Sequence, residues 1–119
     1  MTTTLVYDFK IKQYASFGSD FNFKYLDSVG DPIDISGYTA RLQVRPDKES
    51  GTILVDMNEG AGLTLGSDGT INLSLTAAQT GNLAPIKGAV YDLLIVDGSG
   101  LVTRFAEGLV DISAGVTHD

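Results

Sequence analysis

At 119 residues, with eight basic against fifteen acidic side chains, a net charge of −7 and no cysteine, the chain is sized for one domain around a single core. The missing thiols exclude disulfide staples, thiolate catalysis and cysteine-ligated zinc, and the negative balance repels phosphate backbones and anionic lipid, so neither nucleic acid nor a membrane is an expected partner. Twelve of the acids are Asp and three are Glu, and fourteen residues are Gly, a bias that predicts many turns and little helix because Asp bonds nearby backbone whereas Glu favours helix interiors.

The opening MTTTLVYDFKIK lacks a basic segment followed by an apolar stretch, so no export signal is expected, and no apolar run is long enough to span a bilayer. Period-two alternation then predicts seven strands. The first, LVYDFKIKQ, sets Tyr7, Phe9 and Ile11 against Asp8, Lys10 and Lys12. The second, DFNFKYL, sets Phe21, Phe23 and Tyr25 against Asn22 and Lys24. After the turn DSVGDPID, the third strand begins near Tyr38 and stops at Pro46, with Ala40, Leu42 and Val44 on one face and Arg41, Gln43 and Arg45 on the other. TILVDM alternates through Ile53, Val55 and Met57, and LTLGSDGTINLSL turns at Asp68-Gly69 before Ile71, Leu73 and Leu75.

LTAAQTGNLAP is the one helical piece, with Thr76 as N-cap, Gln79 three residues on, and Gly81 and Pro85 closing it. AVYDLLIV, the turn DGSG and LVTRFAEGLVDI form a hairpin. Phe105 is odd where Val110 and Ile112 are even, so a β-bulge is predicted at or beside Gly108. The predicted fold is all-β: a two-sheet antiparallel immunoglobulin-like sandwich of about seven strands with one short helical turn. Tyr91 stands two residues before Leu93, as the corner tyrosine of such domains stands before its cysteine, although Gly88 lies three residues before Tyr91 where the antibody pattern has two.

Chemistry-bearing patterns are sparse. His118, the one histidine, sits in the terminal GVTHD, which reads as a solvated tail, and a single histidine builds no histidine-rich metal site. Aspartate pairs at glycosidase-like separations arise by chance among twelve aspartates, and nothing marks the apolar pocket that would raise one pKa. Asp31, Asp34 and Asp68 lack the ligand ladder of a calcium loop. GAGLTLG departs from a dinucleotide fingerprint in its last glycine, with no helix behind it, and Asn72-Leu73-Ser74 is a glycosylation sequon by chance. Phe9, Phe21, Phe23, Tyr25 and Phe105 fall on the apolar phase of their strands and read as core, not as a sugar platform. No catalytic residue, metal site or cofactor is therefore expected.

Three ordered stretches, GDPIDISGYTARLQVRP, GTINLSLTAAQT and VYDLLIVDGSGLVTRFAEGLVDI, resemble a family of small tailed-phage proteins that share the immunoglobulin-like fold of the N-terminal domain of phage upper baseplate proteins. The resemblance covers roughly residues 17–117, leaving 1–16 as an N-terminal strand or arm, or an edge strand, and 118–119 as a tail. It implies a non-enzymatic virion protein, assembled in the host cytoplasm, that acts as an adaptor in the tail, baseplate or fibre-attachment region. Its implied partners are other virion structural proteins and copies of itself. Because no stalk or receptor-binding part follows the domain, capsid decoration or a place at the neck is the alternative. From another class, a carbohydrate-binding adhesion module would need exposed aromatics on one face.

The basic face of the third strand has two readings. Arg41, Gln43 and Arg45 face water and pair with acids on neighbouring strands, or they form an interface, for which the planar arginine fork is suited. Arg104, the third of three arginines, would join them in one basic stripe if its strand lies in the same sheet. An acidic patch on another copy would complement such a stripe and support a ring or trimer.

Overall fold

Alternation becomes backbone pairing along the strands of this computed structural model, which describes residues 4–18 and 22–117. The elements are β1 (Leu5–Val6), β2 (Phe9–Lys12), β3 (Asn22–Lys24), β4 (Thr39–Arg45), β5 (Val55–Glu59), β6 (Gly62–Leu65), β7 (Thr70–Leu73), α1 (Ala77–Gly81), β8 (Ile86–Val96) and β9 (Val102–Ser113). Phe21, His118 and the rest of the expected tail lie outside the described residues.

The all-β class holds, but the pairing is not that of two separate antiparallel sheets. Hydrogen bonding runs through one sheet in the order β1-β9-β8-β4-β5-β6-β7-β3, with β2 also on β9. The sheet is mixed because β1 and β2 lie beside β9 in parallel, and a tight step at Gly60–Gly62 sets β5 and β6 in parallel register. The sheet curls until its ends face each other: Phe105 of β9 lies 5.8 Å from Phe23 of β3 and stacks on Tyr25 at 5.3 Å between centroids. Inside the curl, Ile11, Ile35, Leu42, Val44, Leu63, Ile71, Leu73, Leu93, Ile95 and Val110 are essentially sealed from water. Burying each such side chain contributes on the order of 1.5–3 kcal/mol.

The inward sets match the sequence phases, with local exceptions. Phe9, Ile11, Phe23 and Phe105 are buried and Tyr25 is half-buried, but Tyr7 is 43% exposed because the first strand breaks at Tyr7-Asp8 into β1 and β2. Ile53 is 42% exposed, since the fourth strand starts only at Val55. The LTLGSDGTINLSL stretch is two strands, β6 and β7, around the Asp68-Gly69 turn.

The helical turn has the expected ends. Thr76 Oγ1 accepts from the Gln79 amide at 3.1 Å and Gln79 Oε1 accepts from the Thr76 amide at 2.8 Å, a reciprocal capping box. Thr80 is fully buried, and its hydroxyl donates to the Ala15 carbonyl at 2.9 Å, tying α1 to the N-terminal segment.

The bulge falls earlier than Gly108. Leu93 pairs with Ala106 and Leu94 with Arg104, so Phe105 is the extra residue, and Phe105 and Ala106 are buried in succession. That is where the inward phase changes parity. Gly108 answers to a different need: a Cβ there would lie 2.3 Å from the Tyr7 carbonyl oxygen, so only glycine lets the β1–β2 junction cross β9 this closely. A second irregularity between Ile86 and Ala89 holds Gly88 at φ +76°, its amide donating to Asp111 Oδ1 at 2.8 Å. Tyr91 differs from a tyrosine corner as well, since its hydroxyl donates to the carbonyl of Tyr7, 84 positions away in sequence.

Candidate interaction face

Odd-numbered residues of β4 point away from the core, and register decides what stands beside them. Arg41 is level with Leu94 of β8, which is level with Arg104 of β9; Gln43 is level with Asp92, and Asp92 with Glu107; Arg45 is level with Val90, and Val90 with Leu109. A fourth row holds Thr39, Val96 and Val102. On the far side, Asn58 and Asp56 of β5 continue the rows of Arg41 and Gln43, and Val6 of β1 lies beside Glu107. The four residues singled out from the sequence thus share one outer face.

They do not make a basic stripe. The Arg41 guanidinium grips Asp56 with two bonds, Nη2 to Oδ2 at 3.0 Å and Nε to Oδ1 at 3.3 Å. This hydrogen-bonded pairing raises the Arg41 pKa and holds the Asp56 carboxyl below its usual range. Arg104 stands between Asp92 at 3.5 Å and Glu107 at 3.6 Å. The acids occupy the same outward phase as the arginines, so cross-strand register interleaves the signs.

Arg45 is different. Its Nη1 donates to the Ser50 carbonyl at 2.7 Å and its Nη2 to Gln43 Oε1 at 2.8 Å. Among the described residues no carboxylate stands within ion-pair distance of it. Arg45, Lys48 and Arg104 line a shallow groove of about 410 Å³ together with Val90, Leu94 and the acids Asp92 and Glu107. Asp56 was within reach of the sequence pattern, being the outward residue of the next strand; Ser50 and Lys48 were not, because they come from a loop that alternation does not describe.

Of the three aspartates weighed as a calcium set, Asp31 lies in a turn where its amide donates to Asp27 Oδ1, and Asp34 and Asp68, like Asp97 of the DGSG turn, close turns with their own carboxylates. Asp34 Oδ1 accepts from the amide and hydroxyl of Ser36, Asp68 Oδ1 from the Thr70 amide, and Asp97 Oδ1 from the amides of Ser99 and Leu101 and the Ser99 hydroxyl. Among the described residues no group of three or more acidic or histidine side chains is arranged to hold a metal ion.

Comparison with known proteins finds no matching family model and no matching curated relative. Chemically, the face offers directed hydrogen bonds from forked guanidinium groups, alternating charges and a few apolar side chains between them. That is equipment for contact with another folded surface.

Proposed function

We propose that the chain is a non-enzymatic structural protein of a tailed-phage virion, an adaptor in the tail, baseplate or fibre-attachment region that works through protein–protein contacts on the outer face of β4, β8 and β9. The observation that carries the docking part is Arg45, a cation held by Ser50 and Gln43 in a groove that it lines with Val90 and Leu94, with no carboxylate within ion-pair distance of it among the described residues. A fork already ordered loses little side-chain freedom on docking and discriminates by direction as well as charge.

The virion part rests on the resemblance over residues 17–117. Two of its three motifs, the stretch entering β4 and the β8–β9 hairpin, build this face. On the same reading the curled sheet is a variant of the immunoglobulin-like sandwich, with β9-β8-β4 facing β6-β7-β3 and Phe105 stacked on Tyr25 between them.

The test is the double variant Arg41→Ser, Arg45→Ser. Its circular dichroism and thermal unfolding should match the wild type while its incorporation into particles falls. Wild-type occupancy of the double variant would reject the interface, and absence of the chain from purified virions by mass spectrometry would reject the virion assignment.

A further inference from the structure

Along β9 the outer face can meet its own copy with opposite charges in register. Consider two copies laid face to face about a two-fold axis that runs across the strands, between the row Gln43–Asp92–Glu107 and the row Arg41–Leu94–Arg104. That operation exchanges the two central rows, so Glu107 of one copy meets Arg104 of the other, Gln43 meets Arg41 and Asp92 meets Leu94, the one mismatched pair of the three. It also exchanges the outer rows: Leu109 meets Val102, Val90 meets Val96 and Arg45 meets the Thr39 hydroxyl, so Arg45 stays open to a further partner. Leu109 and Val102 are 48% and 56% exposed in the single chain, which leaves apolar surface for such a contact to cover. The alternative axis, parallel to the strands through β8, fails because it superposes Arg41 on Arg104.

We propose that this face docks a second copy of the chain in an isologous, face-to-face pair whose two symmetry-related contacts join Arg104 of one copy to Glu107 of the other. Charge selects this occupant. The chain as a whole carries −7, so like molecules repel unless a surface of alternating sign brings opposite charges into register. Arg104 already lies within ion-pair range of Asp92 and Glu107, and in the pair each arginine sits among acids of both copies. Sheet twist sets the two layers about 30° apart, which preserves these contacts near the axis and splays the corners. Three strands and four rows span roughly 10 by 20 Å. That is about a quarter of the area per partner of a standard interface, so the pair is weak and populates where local concentration is high.

The proposal deepens the adaptor reading by naming one partner of the same face, and it is tested on the isolated full-length chain. Sedimentation equilibrium of the wild type, up to about 1 mM to match a weak interface, should show a reversible monomer–dimer equilibrium. Arg104→Glu and Glu107→Arg should each weaken dimerisation about tenfold or more, because each sets like charges against each other at both contacts. Mixed in equal amounts, the two variants should form a heterodimer, since the exchanged signs then place an acid opposite a base at both contacts. Circular dichroism checks that both are folded, and if either is not, the milder Arg104→Gln and Glu107→Gln replace them, each expected to weaken the wild-type dimer. A wild type that stays monomeric throughout, a mixture no more dimeric than its components, or neutral variants that dimerise like the wild type would overturn the pair. A monomeric chain that still enters virions leaves the adaptor reading standing, whereas a dimer absent from virions leaves only the pair.

Discussion

The hydroxyl of Tyr91 donates to the main-chain carbonyl of Tyr7, fastening the junction of β1 and β2 to β8, the strand on the far side of β9. Tyr91 is 4% exposed, whereas Tyr7 is 43% exposed, so the bond joins a buried donor to a segment at the surface. Tyr91→Phe keeps the ring packed on Phe9, whose centroid lies 4.7 Å away, and removes only the donor. The expected loss is about 1 kcal/mol, the net contribution of one intramolecular hydrogen bond. Urea denaturation measures it, and hydrogen exchange should show the loss of protection concentrated in residues 5–12.

The same phenol makes stability fall in alkali. Burial is the main reason its pKa is raised above the 10.0 of a free tyrosine, with the nearby Asp8 carboxylate adding to it. Between the unfolded and the folded pKa the unfolded chain releases a proton that the folded chain retains, so unfolding is favoured as pH rises through that window. Below pH 10 the contribution is complete. Denaturation midpoints should decline above about pH 10 in the wild type, and the decline should be shallower in Tyr91→Phe.

A methyl group at Gly108 tests the closeness of the N-terminal crossing. Its Cβ would stand 2.3 Å from the Tyr7 oxygen and 2.8 Å from Asp8 Oδ1, which accepts the Leu109 amide. The backbone must move, and Gly108→Ala should cost about 1–3 kcal/mol, as overpacking does. Gly98→Ala is the control, because a Cβ there meets nothing within 4 Å. Equal melting temperatures for the two variants would show that the crossing yields freely.

These contacts mark how far the pattern of residues can be followed. Period two exposed the inward set of β4 and β8 because side-chain direction is a local property of extended backbone. The Thr76–Gln79 box was legible for the same reason, its partners being three residues apart. Pairing order is not local. That β1 and β2 lie parallel to β9 depends on contacts about a hundred residues apart, and the bulge, expected at or beside Gly108, falls at Phe105 because parity shows that the phase changes but not at which residue. The candidate face was legible as Arg41, Gln43 and Arg45. Its interleaving with Asp92 and Glu107 followed only from register, which alternation leaves open by any even shift.

Acid should loosen the turns. The hydroxyl and amide of Ser99, with the amide of Leu101, hold the Asp97 carboxyl below its usual pKa, as Ser36 does for Asp34 and Thr70 for Asp68. Carboxylates depressed in the folded state stabilise above their unfolded pKa of 3.8 and lose that contribution as pH falls through the folded value. The wild type should therefore lose stability below about pH 4. Asp97→Asn keeps an acceptor at the same place without the charge, and its midpoint should fall less between pH 5 and pH 2.5.

Thr80 separates a packing role from a bonding one. It is fully buried on a five-residue helix, too short to persist without tertiary support. Its hydroxyl donates to Ala15 in the segment between β2 and β3 and also approaches the Ala77 carbonyl at 3.1 Å. Valine matches threonine in shape, so Thr80→Val fills the same space and strands the Ala15 carbonyl without its donor. The expected cost is about 1–3 kcal/mol. Thr80→Ser keeps the hydroxyl and removes the methyl, and should lose about 1 kcal/mol from the smaller buried volume. If serine is the more damaging of the two in urea titrations, Thr80 holds α1 through its methyl group, and the bond to Ala15 is incidental. If valine is, the bond is what anchors the N-terminal segment, and exchange at residues 13–18 should quicken in that variant while exchange in β4 and β8 keeps pace with the global loss.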